Sequence, residues 1–83
     1  MDKFYTYIVV CSDGTFYIGW STNVEKRIEK HNKGKGAKYT KARRPVKLLK
    51  YWTWDSKSEA MKYEWALKQL SREDKEKLTG WKD

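Results

Sequence analysis

Residues 4–11 read FYTYIVVC and residues 15–20 read TFYIGW, two runs dominated by aromatic and β-branched side chains. Such residues suit a pleated surface, so both runs are predicted strands. Ser12-Asp13-Gly14 separates them, and Asp-Gly supplies the positive φ angles of a tight turn, which predicts an antiparallel hairpin. Thr22-Asn23-Val24-Glu25 has the spacing of a capping box and opens a helix over about residues 23–32, with Val24, Arg27, Ile28 and His31 on one stripe. Gly34 and Gly36 stop that helix, and GKGAKYTKARRP, residues 34–45, has no apolar periodicity and reads as a basic loop. Residues 46–54 (VKLLKYWTW) resume β-type composition and form the third predicted strand. Ser56-Lys57-Ser58-Glu59 is a second capping box, heading a helix over residues 57–70, and Ser71-Arg72-Glu73-Asp74 starts a short third helix.

This pattern predicts an α/β fold in which a three-stranded antiparallel sheet is flanked by helices in the order ββαβαα. A length of 83 residues suits one small domain over residues 1–83, with room for one modest core.

Charge changes the picture more than composition does. Nineteen Lys and Arg stand against eleven Asp and Glu, for a net charge of +8. Eleven of the basic residues fall within residues 26–50, against the single acid Glu29, while the acids collect further on. A surplus gathered in one segment favours a polyanionic partner, whereas an even spread would only keep the surface soluble. Cys11 stands alone in an apolar run, which leaves no intrachain disulfide and suits a small buried thiol in a reducing, cytoplasmic setting. No stretch has the apolar length of a signal peptide core or a membrane span, so no membrane partner is expected.

One His and one Cys cannot build a zinc tetrahedron, so any metal here is a hard, oxygen-loving ion. Glu64 is the best candidate ligand, because the helix spacing sets it on a stripe with Ala60, Leu67 and Lys68, at the edge of the core-facing side. The plainer reading of the same residue is an i,i+4 ion pair with Lys68. Tyr5, Tyr7 and Tyr17 on a hairpin have an equally plain reading as cross-strand packing. Gly19 is more pointed, since glycine inside a strand marks a bulge or a close approach by another group.

Tyr17-Ile18-Gly19 resembles the YIG half of the GIY-YIG nuclease motif, and Tyr5-Thr6-Tyr7 stands where the GIY half belongs, with nine residues between them. Thr22, Arg27 and His31 are similar in spacing to the family's arginine-bearing helix, and the stretch from Ser58 through Glu64 to Lys68 to its metal-binding glutamate helix. The run His31-Asn32-x-Gly34-x-Gly36-Ala37-Lys38-Tyr39-Thr40, followed by Arg44-Pro45-Val46, looks most like the small stand-alone bacterial members. Tyr5 and Thr6 depart from the family's Gly and Ile but leave its tyrosine in place.

The resemblance implies a metal-dependent endonuclease that hydrolyses phosphodiesters with low sequence specificity, in DNA repair or processing. Tyr7 or Tyr17 would help to deprotonate the attacking water, Arg27 would steady the phosphate, His31 would assist, and Glu64 would hold Mg²⁺ or Mn²⁺. A tyrosine is a poor base at neutral pH, but a neighbouring cation favours its ionised form, and Arg27 and the metal are both expected to act in that sense. Lys33, Lys35, Lys38, Lys41, Arg43 and Arg44 are the expected nucleic-acid contacts, with DNA placed ahead of RNA and a protein partner as one source of specificity. The competing reading is a non-catalytic nucleic-acid-binding module on the same fold, holding single strands by charge and by stacking on tryptophans.

Overall fold

The computed structural model describes residues 2–82. Strand β1 (Phe4–Val10) lies at the centre of a three-stranded sheet, with β2 (Phe16–Ser21) on one side and β3 (Lys47–Trp54) on the other, both antiparallel to it. Helix α1 (Val24–Asn32) and the single turn α2 (Lys38–Lys41) lie between β2 and β3 in the chain, and α3 (Lys57–Lys68) and α4 (Arg72–Thr79) follow. The order is therefore ββααβαα: the expected fold, with one helical turn added. That turn lies in the stretch read as basic loop, because four residues are too few to display an apolar period.

Side chains of β1 alternate between two small cores. Tyr7, Val9 and Cys11 face Val24 and Ile28 of α1, together with Val46. Ile8 packs on the opposite side with Ile18 of β2 and Leu67 of α3, ringed by Trp52 and Tyr63. Cys11 is buried, as its apolar run suggests.

Two local devices differ from the expected ones. At the hairpin only Gly14 has a positive φ, at 84°. Its N–H reaches the Cys11 carbonyl while the Asp13 carboxylate accepts from the Thr15 N–H and hydroxyl, so the Asp13 side chain does the turn-making that its backbone was expected to do. At α1 the cap is Asn23 rather than Thr22. The Asn23 amide oxygen accepts from the Lys26 N–H at 3.0 Å, in keeping with the higher rank of asparagine at this position. The second capping box forms as expected between Ser56 and Glu59, and Ser71 caps α4 by accepting from the Asp74 N–H.

Thr6, the departure from the family's isoleucine, fixes α3 to the sheet. Its hydroxyl donates to the Ala60 carbonyl at 2.8 Å and accepts from the Trp54 indole N–H at 3.0 Å, with Thr6 and Ala60 both fully buried. Glu64 lies one turn beyond Ala60, so this anchor also sets the height of its carboxylate along the sheet.

Candidate active site

Tyr7 points from the central strand across Gly19, its partner on β2. A β-carbon at Gly19 would lie 2.6 Å from the Tyr7 hydroxyl, so the glycine is the space through which the phenol passes. Beyond it, Tyr7 Oη lies 2.8 Å from His31 Nε2, and the other ring nitrogen, Nδ1, lies 2.7 Å from Thr40 Oγ1. Tyr7, His31 and Thr40 are all at most 1% exposed. The Tyr17 ring meets His31 edge-on at 5.3 Å and stacks on Tyr39 at 5.9 Å, while remaining half-buried at the surface.

Arg27, half-buried on the same helix face as His31, lies near enough to Tyr7 for its guanidinium to favour the Tyr7 anion. The expectation that Arg27 favours an ionised tyrosine holds for its own contribution but not for the sum. Burial is the larger influence and, with Tyr17 and Glu64, raises the Tyr7 pKa well above its ordinary value of 10.0, so Tyr7 stays protonated. His31 shifts the other way: burial first, and then Arg27, lowers its pKa from 6.5 and favours the neutral imidazole.

The Glu64 side chain is only 19% exposed and near enough for its charge to disfavour the Tyr7 anion. Its Oε2 accepts from Lys68 Nζ at 2.9 Å, so the plainer reading of Glu64, an i,i+4 ion pair at the edge of the core-facing side, is present. Among the described residues no group of three or more His, Cys, Asp or Glu side chains converges on a possible ion site. The donor set still fits Mg²⁺ or Mn²⁺, because such an ion keeps several waters, takes oxygens from substrate phosphates, and needs only one or two protein carboxylates. Glu64 already attracts one cation, the Lys68 ammonium.

The basic residues divide into two groups. Lys35, Lys38 and Lys41 are exposed and make no ion pair among the described residues, while Lys33 pairs with Glu29 at 3.0 Å. Arg43 is engaged internally: Nε donates to Asp13, Nη1 donates to the Tyr39 carbonyl, and the guanidinium lies 4.0 Å over the Tyr39 ring. Arg44 donates to the Lys41 carbonyl and lies against Gly34, where a β-carbon would come within 3.0 Å of Nη1. These two arginines therefore shape the α2 segment before they meet any ligand.

Sequence reasoning passed over Thr40, Tyr39 and Gly36 as members of the cluster. A β-carbon at Gly36 would lie 2.3 Å from His31 Nδ1, so the loop closes directly on the imidazole. The signal was the run from His31 to Thr40 itself, in which Gly36 and Thr40 both meet the His31 ring.

The sequence profile of the GIY-YIG catalytic domain matches residues 3–78, and the chain belongs to the GIY-YIG nuclease family. It is 56% identical over 78 residues to a UPF0213 protein of Staphylococcus saprophyticus, covering 94% of this chain and 95% of that one. A UPF0213 protein of Halobacterium salinarum is 53% identical over 74 residues, covering 89% of this chain and 96% of that one. The solution NMR structure of a UPF0213 protein from Bacillus halodurans has the same fold, with a TM-score of 0.60 at 49% identity, over 94% of this chain and 83% of that one. A second NMR structure, of a protein from E. faecalis, gives a TM-score of 0.61 at 40% identity, over 94% and 86% of the respective chains.

Proposed function

We propose that this chain, acting as a single domain over residues 1–83, is a metal-dependent endonuclease that hydrolyses nucleic-acid phosphodiesters with low sequence specificity. DNA is placed ahead of RNA as substrate, in a cytoplasmic role in repair or processing. The observation that carries the reading is the meeting of Tyr7, Tyr17 and His31 beside Gly19, with Arg27 and the Glu64 carboxylate close enough to influence Tyr7. A buried packing cluster has no need of a guanidinium and a carboxylate beside two tyrosines and a histidine.

The residues divide the work by burial. Arg27, beside Tyr7, offers its donors to phosphate oxygens in a fork that a lysine cannot reproduce. Tyr7, kept protonated by its surroundings, bonds to His31 and holds the imidazole in place. Tyr17 is the tyrosine that solvent reaches. It accepts one proton of the attacking water and passes its own hydroxyl proton to bulk water, so it leaves the step as it entered. The water oxygen bonds to phosphorus, the phosphorus–oxygen bond to the leaving group breaks, and the departing oxygen takes up a proton. Glu64 would hold Mg²⁺ or Mn²⁺, which when bound polarises the phosphate and stabilises the developing negative charge.

Lys35, Lys38 and Lys41 supply attraction to the phosphate backbone that carries no base information, so specificity is low or comes from a protein partner. The test is incubation of pure protein with labelled single-stranded, duplex and branched DNA and RNA, in Mg²⁺, Mn²⁺ or EDTA, beside Glu64→Gln. Metal-dependent cutting by the wild type, lost in Glu64→Gln with binding retained, supports the reading. Binding with no cutting of any substrate favours the binding-module reading instead, and a fully active Glu64→Gln protein removes Glu64 from the site.

A further inference from the structure

We propose that Thr40 is a positioning residue: its hydroxyl, aimed at the Ala37 carbonyl, holds His31 in the Nδ1–H tautomer and thereby orients the Tyr7 hydroxyl, beside which Arg27 lies. The functional consequence rests on the nuclease reading, but the geometry does not.

Three hydrogen bonds run in series. Tyr7 Oη lies 2.8 Å from His31 Nε2, His31 Nδ1 lies 2.7 Å from Thr40 Oγ1, and Thr40 Oγ1 lies 3.0 Å from the Ala37 carbonyl oxygen. The last of them has fixed polarity, since a carbonyl only accepts. The single Thr40 hydroxyl proton therefore goes to Ala37, and its oxygen accepts from His31. The neutral imidazole has one N–H, so that proton is on Nδ1 and Nε2 presents a lone pair. Tyr7 must then donate to Nε2, which turns the lone pairs of its oxygen toward the neighbouring Arg27.

Water cannot take over any of the inner links, because Tyr7 and His31 are each 1% exposed and Thr40 is 0% exposed. Gly36 makes the approach possible, since a side chain there would collide with Nδ1. Burial and the nearby Arg27 both favour the neutral ring, the only form with an acceptor for Tyr7. In the opposite tautomer Nε2–H would face the Tyr7 oxygen and turn the phenolic proton toward Arg27. The guanidinium would then face a phenolic proton in place of a lone pair. Thr40 thus acts on the phosphate-facing residue through two intermediaries without touching substrate.

His31 is the single histidine of the chain, so the imidazole ¹⁵N spectrum of the full-length labelled protein belongs to one residue. At pH about 7.5, where the ring is neutral, the wild type is expected to show a protonated Nδ1 and an unprotonated Nε2. Thr40→Ser should keep that pattern. Thr40→Val, close in shape but lacking the hydroxyl, should shift the ring toward Nε2–H and lower kcat by on the order of tenfold or more, with KM for the oligonucleotide little changed. A wild-type spectrum with the proton on Nε2 overturns the proposal whether or not any variant folds. So does a folded Thr40→Val protein that keeps the Nδ1–H pattern, or one that inverts the tautomer yet retains full kcat. The ¹⁵N readout needs no cleavage, so loss of the nuclease reading would be seen separately, as failure of the wild type to cut.

Discussion

The Tyr7 hydroxyl lies 2.6 Å from the point that a β-carbon on Gly19 would occupy, closer than any real side chain allows. Gly19→Ala must therefore push the phenol away from His31 and should destabilise the fold by about 1–3 kcal/mol, as overpacking commonly does. For a chain of this size that lowers the thermal midpoint by about 4–8 °C per kcal/mol. The collision is with the hydroxyl and its ring carbon, so removing the hydroxyl in Tyr7→Phe should make the alanine easier to accommodate. Thermal unfolding of the two single variants and the double variant checks this. A double variant whose loss equals the sum of the singles, within about 0.5 kcal/mol, would show that the contact is not the cause.

Most of the framework is legible in the sequence because it is local. The aromatic and β-branched runs of β1 and β2, the Ser56–Glu59 capping box and the stripe carrying Ala60, Glu64 and Leu67 each depend on residues near one another in the chain. What the sequence did not reveal depends on distant contacts. Nothing in the spacing tells that Thr6 would anchor Ala60, or that Asn32 would pair with both backbone groups of Val46 and so return the basic segment to the sheet. Thr40 was hidden for the same reason, its partner His31 being nine residues away on another element. Charge is visible in a sequence and burial is not: Arg27 favours the Tyr7 anion, as its place on the helix suggests, while burial is the larger influence.

Lys68 Nζ occupies the Glu64 carboxylate at 2.9 Å and competes with any ion that the carboxylate holds. An exposed i,i+4 pair contributes about 0.3–0.5 kcal/mol, so Lys68→Ala should tighten Mn²⁺ binding by about twofold. Titration of the wild type and Lys68→Ala with Mn²⁺, followed by the paramagnetic relaxation of water, measures the difference, with Glu64→Gln as the control that should lose the site. Equal affinities in all three proteins would place the ion elsewhere.

Lys35, Lys38 and Lys41 are free for phosphates, whereas Arg43 is tied to Asp13 and Tyr39. Replacing the three lysines by alanine should lower the slope of log K against log salt by roughly 0.7–0.9 per residue, with the melting temperature nearly unchanged. Arg43→Ala should do the reverse, lowering the melting temperature through loss of its ring and carboxylate contacts while barely altering the slope. An oligonucleotide titration at several salt concentrations, paired with thermal melts, separates the two classes. An unchanged slope in the triple variant would mean that this segment is not the binding surface.

His31 links stability to pH. Its pKa is lowered from 6.5, mainly by burial and next by Arg27, so the unfolded chain takes up a proton at a pH where the folded chain still resists it. Between the lowered value and about 6.5 the unfolded state binds more protons, and stability falls as pH drops through that window. Above it the contribution is fully present. Asp13 and Glu29, whose pKa values are lowered chiefly by hydrogen bonds from Thr15 and Lys33, act in the same direction but only at the lower pH where carboxylates titrate. Urea unfolding in steps from pH about 7.5 to about 5 should therefore show a decline in the wild type that is flatter in His31→Gln, which keeps a polar group and loses the titration. Below that range the two proteins should fall together, because the remaining groups are shared. Parallel curves across the whole range would mean that His31 is as easily protonated in the folded chain as in the unfolded one, and that its burial between Tyr7 and Thr40 is not maintained in solution.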